Sequence, residues 1–303
     1  MHLELAKRNL IALAALSGLL FGLGYLGHLH PFFDALAIGR WAALYGALFF
    51  LIVIALWAGR TLVGAVLCGA LALIVIIPQS SGNDTSGESS AGSVRVYTKN
   101  LWYANRETNL VVADLRAMAP DLVFLQEVSA HNKSIMDGMR ATLPHQALCP
   151  WQGWNGMAIL SRWPLASTAP ICSPQRSVMA VLVAGEEGPF WAIGVHLQQP
   201  WPDVQWSHLE QALAKLPTFS EGAIVAGDFN TVPWSAAARK IGDITGTRPI
   251  QPIQATFHMR GIPLPLDQVW ASGGRAQVRP KAGSDHHGVV ADVWPSRGDP
   301  SEQ

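Results

Sequence analysis

The chain has 303 residues, half of them hydrophobic, with 21 basic and 21 acidic side chains and no net charge. That length suits one large domain plus an appendage. Balanced charge argues against a protein that grips long nucleic acid through a broadly basic surface, because such binding draws on a positive excess.

The apolar excess lies before Val94. Only four basic and four acidic residues fall there (Glu4, Lys7, Arg8, Asp34, Arg40, Arg60, Asp84, Glu88), which leaves 17 of each for the rest. Residues 9–29 run without a charge and are long enough for a bilayer, which takes about 20 residues. A second run spans Trp41 to Trp57. A third spans Leu62 to Ile77 and stops at Pro78. Both are short and would stand nearly upright. A cleaved signal peptide beginning at Lys7 and Arg8 would account for the first run but not for three in succession. Residues 1–78 are therefore expected to form a membrane anchor of three transmembrane helices. None of the runs carries an internal Asp, Glu, Lys or Arg, which argues against a transporter or proton path. Gly18 and Gly22 have the spacing of close helix packing, a spacing that glycine-rich membrane helices also produce by chance. Lys7, Arg8 and Arg60 fall on one side and Arg40 on the other. This places the amino terminus inside and everything past Pro78 on the periplasmic or extracellular side of the inner (plasma) membrane.

Residues 79–93 have the Ser/Gly composition of a flexible linker. The folded domain, 94–303, opens with an alternating strand at Val94–Lys99. Leu110–Met118 has helical spacing and ends before Pro120. Leu122–Leu125 and Met157–Leu160 are apolar strands, and Val178–Val183 with Phe190–Val195 forms a hairpin around Gly185–Gly188. Val204–Leu216 is a helix. Ala223–Asp228 is a core strand, and Leu266–Trp270 and Val289–Val293 are late strands. Many strands with few intervening helices predict two mixed sheets with helices outside, an α/β arrangement, and not a regular parallel array. Cys149 and Cys172 form one disulfide if the domain is exported, or remain two separate buried thiols.

Chemistry-bearing residues cluster at strand ends. Asp228 and Asn230 follow the apolar run Ala223–Gly227 and point the same way on an extended chain. Asn100, Glu127, His196, Asp267 and the pair Asp285-His286 end other apolar strands. A carboxylate such as Glu127 at the end of a buried strand is costly unless it has a partner. Asp228 and Asn230 have a plainer reading as caps of a helix starting near Pro233. His287 and the histidines at 131, 145, 208 and 258 lie in no pattern. Trp151, Trp154, Trp201, Trp206 and Trp234 suit base stacking, a lipid interface or simple packing. The loops Cys149–Gly156 and Gln198–Trp206 are the expected substrate contacts.

The ordered set Thr98-Lys99-Asn100, Leu125-Gln126-Glu127-Val128, Ile159-Leu160-Ser161-Arg162, Gly194-Val195-His196-Leu197, Gly227-Asp228-Phe229-Asn230, Leu266-Asp267-Gln268-Val269 and Ser284-Asp285-His286 resembles the endonuclease/exonuclease/phosphatase superfamily, the deoxyribonuclease I-like proteins. It covers about residues 94–294. The resemblance implies a four-layer sandwich of two mixed β-sheets packed face to face with helices outside. It also implies hydrolysis of a phosphodiester, in nucleic acid (DNA/RNA) or a phospholipid head group, by in-line attack of water. Mg²⁺ is the implied cofactor, with Mn²⁺ as the alternative. Asn100, Glu127 and Asp285 are the expected metal ligands, and His196, Asp228, Asn230, Asp267 and His286 the expected catalytic residues. His286 would be oriented by Asp267, with Asp228 close by. The partners expected are the phosphate ester and the membrane, through residues 9–78, and no protein. Gln268 departs from the family, which often has His there, and is expected to alter substrate contacts. The alternative is a catalytically silent binding or scaffold module on the same fold.

Overall fold

Leucine and alanine, with scarcely a polar side chain, make the amino-terminal unit helical, as the computed structural model of the protein records. It describes residues 2–76, 92–150, 153–166, 169–201, 204–217, 219 and 221–296. The chain divides into two compact units, Met1–Asp84 and Thr85–Gln303. In the first, helices run over His2–Leu23 (α1), Pro31–Leu36 (α2), Arg40–Trp57 (α3) and Thr61–Ile76 (α4), with a 3-10 turn at Ala37–Gly39. Pro31 pre-sets the first turn of α2, and His30 Nδ1 accepts from the Phe32 amide. Helix α3 packs against both α1 and α4.

Two stretches, Glu4–Leu23 and Pro31–Trp57, are long and apolar enough to cross a membrane. The third expected span falls short of that. Helix α4 has 16 residues, about 24 Å of helix against about 30 Å of hydrocarbon. A Cβ on Gly18 or Gly22 would meet nothing within 4 Å, so their spacing serves no contact among the described residues. The expected linker at 79–91, and Trp151, lie outside the described residues.

In the second unit β1 (Val94–Asn100) leads through α5 (Thr108–Met118) to β2 (Leu122–Val128) and α6 (Ser134–Met139). The chain continues through β3 (His145–Cys149), β4 (Gly156–Ser161), β5 (Ile171–Cys172), β6 (Val178–Gly185), β7 (Gly188–His196) and α7 (Val204–Leu213). It then forms β8 (Ala223–Asp228), α8 (Ala236–Thr245), β9 (Arg248–Pro249), the hairpin β10 (Phe257–Met259) and β11 (Ile262–Leu264), β12 (Asp267–Ala271), β13 (Gly273–Arg279) and β14 (Gly288–Trp294). One six-stranded sheet has the order β13-β14-β1-β2-β4-β3 and the other β5-β6-β7-β8-β12-β9. Each is mixed: β1–β2 and β7–β8 are parallel, and the other pairs are antiparallel.

The inward side chains of both sheets share one apolar layer, with Val96, Phe124 and Ile159 from the first meeting Met179, Ala192, Ile224 and Val269 from the second. Helices α5 and α6 cover the outer face of the first sheet through Val111, Leu115, Ile135 and Met139. Leu209 of α7 and Ala237, Ala238 and Ile241 of α8 cover the second. The result is helix, sheet, sheet, helix, because each sheet must bury both faces. Sequence periodicity does not reveal β3, β13 or the β10–β11 hairpin. Strand β13 opens on Gly273-Gly274 and carries Arg275, Gln277 and Arg279, a poor intrinsic strand, yet it pairs along its whole length with β14.

Two covalent or steric constraints hold the site end in place. A disulfide joins Cys149 to Cys172, tying β3 at the edge of one sheet to β5 at the edge of the other. Gly227 has φ +153°, and a Cβ there would stand 1.9 Å from the Val195 carbonyl oxygen. Only glycine lets β8 lie this close to β7 just before Asp228.

Candidate active site

Register brings the site residues of the second sheet into one row. His196 pairs with Asp228 across β7–β8, and Asp228 with Asp267 across β8–β12. On the first sheet Asn100 and Glu127 end the parallel neighbours β1 and β2. The register shifts at Gln126/Val128, and Glu127 takes the left-handed φ of +55°. Asn230 and Trp102 are left-handed too, at +47° and +58°. For residues with a Cβ such backbone is strained and collects at functional sites.

Hydrogen bonds then join the two sheets. Asn100 Nδ2 donates to Glu127 Oε1 and to Asp228 Oδ2, each at 3.0 Å. Its Oδ1 accepts the Trp102 amide at 2.9 Å. Asn100 thus turns its nitrogen, not its oxygen, toward the two acids. Glu127 Oε2 accepts the Tyr103 amide at 3.0 Å, and His196 Nε2 stands 3.8 Å from Glu127 Oε1. His286 Nδ1 bonds Asp267 Oδ2 at 2.8 Å, and His286 Nε2 is 3.8 Å from Asp228 Oδ2. Asn230 Nδ2 donates to the Leu197 carbonyl at 2.8 Å and to Asp228 Oδ2 at 3.3 Å. The edge of the Trp154 ring meets His196, and Phe257 lies tilted over His286 with ring centres 4.6 Å apart.

Seven of the eight expected residues are linked in this way: Asn100, Glu127, His196, Asp228, Asn230, Asp267 and His286. Asp285 is not in the linked set. Its side chain is exposed, and its Oδ1 accepts from the Ser284 hydroxyl at 3.4 Å. The alternation of the loop points His286 inward and therefore turns its neighbour out. Asp228 and Asn230 do not cap α8, whose first turn is capped by Ser235 accepting from Ala238 N. Gln268 is structural: Nε2 donates to the Thr231 and Pro265 carbonyls and Oε1 accepts from Trp270 Nε1. Of the tryptophans, Trp154 and Trp201 are exposed while Trp206 packs on the α7–α8 core.

Burial governs the electrostatics. Desolvation raises the Asp228 carboxyl above its ordinary value, against the opposing pull of His286, His196 and the Asn100 amide. For His286 burial works downward, but the Asp267 and Asp228 carboxylates outweigh it and push the imidazole up to about 10. The ring is therefore an imidazolium at neutral pH in the metal-free protein. Lys99, invisible as a site residue in the sequence except as a charge inside an otherwise buried strand, is fully enclosed. Burial lowers its ammonium to about 8, opposed by Asp267, Asp114 and Asp285.

The donor set suits a hard divalent cation. Glu127 offers a carboxylate, Asn100 a carboxamide, and one buried oxygen of Asp267 (Oδ1) has no hydrogen-bond partner among the described residues. Ligand atoms of Asp228, Asp267 and His286 also lie within 4.8 Å of one another.

Residues 97–296 match the model of the Endonuclease/Exonuclease/phosphatase family. The chain belongs to that family. No curated protein matches it. Among solved structures it is similar to a humanized D. rerio TDP2 carrying 14 mutations, at 15% identity and TM-score 0.53, over 68% of this chain and 99% of that one. It is similar to an endonuclease/exonuclease/phosphatase family protein from Leptotrichia buccalis C-1013-b, at 15% identity and TM-score 0.51, over 66% and 99%. A beta toxin from Staphylococcus aureus is similar at 14% identity and TM-score 0.52, over 66% and 99%. At such identities the likeness is one of fold.

Proposed function

We propose that this member of the family is a divalent-metal-dependent phosphoesterase that cleaves a phosphodiester, held at a membrane by its apolar amino-terminal helices. One observation carries the reading: Asn100 of one sheet, itself hydrogen-bonded to Glu127, is hydrogen-bonded directly to Asp228 in the His196–Asp228–Asp267 row of the other. Glu127 and Asn100, once the amide turns, would hold Mg²⁺ or Mn²⁺ at the phosphate. When bound, the cation would neutralise charge on the phosphoryl oxygens and the leaving oxygen.

The chain's own groups supply the rest. Asp228, with its raised proton affinity, takes the proton from the attacking water. His286, cationic and held in place by Asp267, donates through Nε2 to a phosphoryl oxygen as charge builds there. Asn230 fixes the Asp228 carboxylate, and His196 faces the leaving group. The alternating acid, imidazole and amide groups suit in-line displacement because each is placed before the reaction begins.

The Cys149–Cys172 disulfide supports a catalytic unit outside the cytoplasm, since such bonds persist in oxidising compartments. A phospholipid head group and a nucleic acid both present the required diester. The test is hydrolysis of bis-p-nitrophenyl phosphate by the full chain with Mg²⁺ or Mn²⁺. Glu127→Ala and His286→Ala serve as controls, and DNA or phospholipid vesicles as competitors. EDTA and either substitution are expected to abolish turnover, and the competitor that inhibits names the substrate. Wild-type rates in both variants would refute the site.

A further inference from the structure

Strand β1 buries every side chain except Arg95, and the sequence places a lysine among them. Lys99 is fully enclosed, beside Tyr97 and under the segment 280–287. Its ammonium donates to the His286 carbonyl at 2.9 Å and to the Pro280 carbonyl at 3.4 Å. Among the described residues it has no carboxylate within the 4.0 Å of an ion pair. Enclosing a cation with only two neutral acceptors costs several kcal/mol. A methionine or leucine would fill the same space without that cost. A position that nonetheless carries the charge uses it for something that apolar packing cannot do.

The neighbouring contacts show what that is. One residue along, the Asn100 carbonyl accepts from Ser284 Oγ at 2.8 Å, and Ser284 Oγ accepts the His286 amide at 3.0 Å. Two residues back, the Tyr97 hydroxyl donates to Asp114 at 2.6 Å, and Arg279 binds the same carboxylate. Arg279 offers its carbonyl to the His287 ring at 2.9 Å. Three residues of β1, Tyr97 through Asp114 and Lys99 and Asn100 directly, thus hold the 279–287 segment at its start, its middle and its end. Lys99 is the residue of β1 that reaches the His286 carbonyl directly, at 2.9 Å.

We propose that Lys99 is a positioning residue. Its ammonium, drawn to the His286 carbonyl, sets the height of the imidazole between Asp267 and Asp228. It also locks that loop to the strand that ends in Asn100. Lys99 touches no substrate and acts through His286. The proposal rests on the phosphoesterase reading of the pocket.

The experiment uses the full chain with Lys99→Met, Lys99→Gln and Lys99→Arg. It reads kcat and KM on bis-p-nitrophenyl phosphate, thermal stability, and the ¹⁵N signals of the His286 imidazole, assigned by their loss in His286→Gln. In Lys99→Met we expect kcat to fall about 100-fold, the size of effect a misplaced group of about 1 Å produces. KM should stay within about threefold, because ground-state binding is not what is lost. The His286 signals should shift, and Lys99→Arg should recover part of kcat. A Lys99→Met protein that melts earlier yet keeps wild-type kcat and unshifted His286 signals overturns the proposal. Should that variant not fold, Lys99→Gln decides: a folded protein with kcat lowered at least about tenfold supports it, and wild-type kcat overturns it. Should the wild type hydrolyse nothing, the phosphoesterase reading fails on its own. The His286 signals then decide alone, with a shift in the variants supporting the proposal and unchanged signals overturning it.

Discussion

Asn100 and Asp228 stand at the ends of strands in different sheets, and the amide of the first donates to the carboxylate of the second at 3.0 Å. The same nitrogen donates to Glu127. One neutral donor therefore separates two acids that would otherwise face each other across the sandwich. Replacing it with a third carboxylate, Asn100→Asp, should lower the melting temperature of the metal-free protein, because an unpaired buried charge is added. Mg²⁺ or Mn²⁺ should restore more stability to this variant than to the wild type, since ligands gain a charge. Differential scanning calorimetry with and without metal reads both effects. Equal metal responses in the two proteins would exclude Asn100 from the metal's surroundings.

Gly227→Ala tests the closeness of β7 and β8. The new Cβ would sit 1.9 Å from the Val195 carbonyl oxygen, so the strands must part where His196 and Asp228 pair. Strain of this kind costs on the order of 3 kcal/mol or more. Denaturant unfolding should show that loss, together with loss of activity. A stable, active Gly227→Ala protein would mean that the row of site residues tolerates a wider gap.

The pH dependence of stability in the metal-free protein should carry the mark of His286. Burial lowers its affinity for a proton, but Asp267 and Asp228 overcome this and raise it from 6.5 to about 10. The folded protein keeps a proton that the unfolded chain releases, so this stabilisation is complete below pH 6.5 and is lost as pH climbs toward 10. One proton corresponds to a slope of up to about 1.4 kcal/mol per pH unit. Lys99 opposes it: burial lowers its ammonium from 10.5 to about 8, so stability gains with pH across that interval. In His286→Asn the fall contributed by His286 should be lost, so stability should decline less between pH 6 and pH 9.5 than in the wild type. Unfolding free energies measured at pH 6, 8 and 9.5 in the presence of EDTA would distinguish the two curves.

The disulfide should matter for stability more than for chemistry. Cys149 and Cys172 are 23 positions apart, and closing a loop of that size restricts the unfolded chain by about 3 kcal/mol. The double variant Cys149→Ser/Cys172→Ser should melt about 10 °C lower, given the size of the catalytic unit. Its KM should rise as well, because the disulfide holds Cys149 and Cys172 together at the end of the sandwich where Trp154 meets His196. Arg176 donates to the Pro150 carbonyl and Asn155 to the Gln175 carbonyl in the same place. Unchanged melting would show that these hydrogen bonds suffice.

The sequence by itself determined the kinds of groups available and the strand ends on which they sit. Gly227-Asp228-Phe229-Asn230 and Ser284-Asp285-His286 are local patterns, and the apolar runs before them are read from side-chain period alone. What period cannot supply is the partner of each strand. Register across β7, β8 and β12 aligned His196, Asp228 and Asp267, and the facing of the two sheets brought Asn100 and Glu127 onto them. Asp285 and His286 are adjacent in the chain and separated by the fold, one exposed and the other buried. Gln268 spends its amide on two backbone carbonyls and the Trp270 indole, and Lys99 becomes a buried cation bonded to the His286 carbonyl. Strand β13 exists because β14 offers it a ladder, not because Gly273–Arg279 prefers one. These outcomes depend on contacts between residues as far apart as Lys99 and His286, and only long-range packing sets their distances.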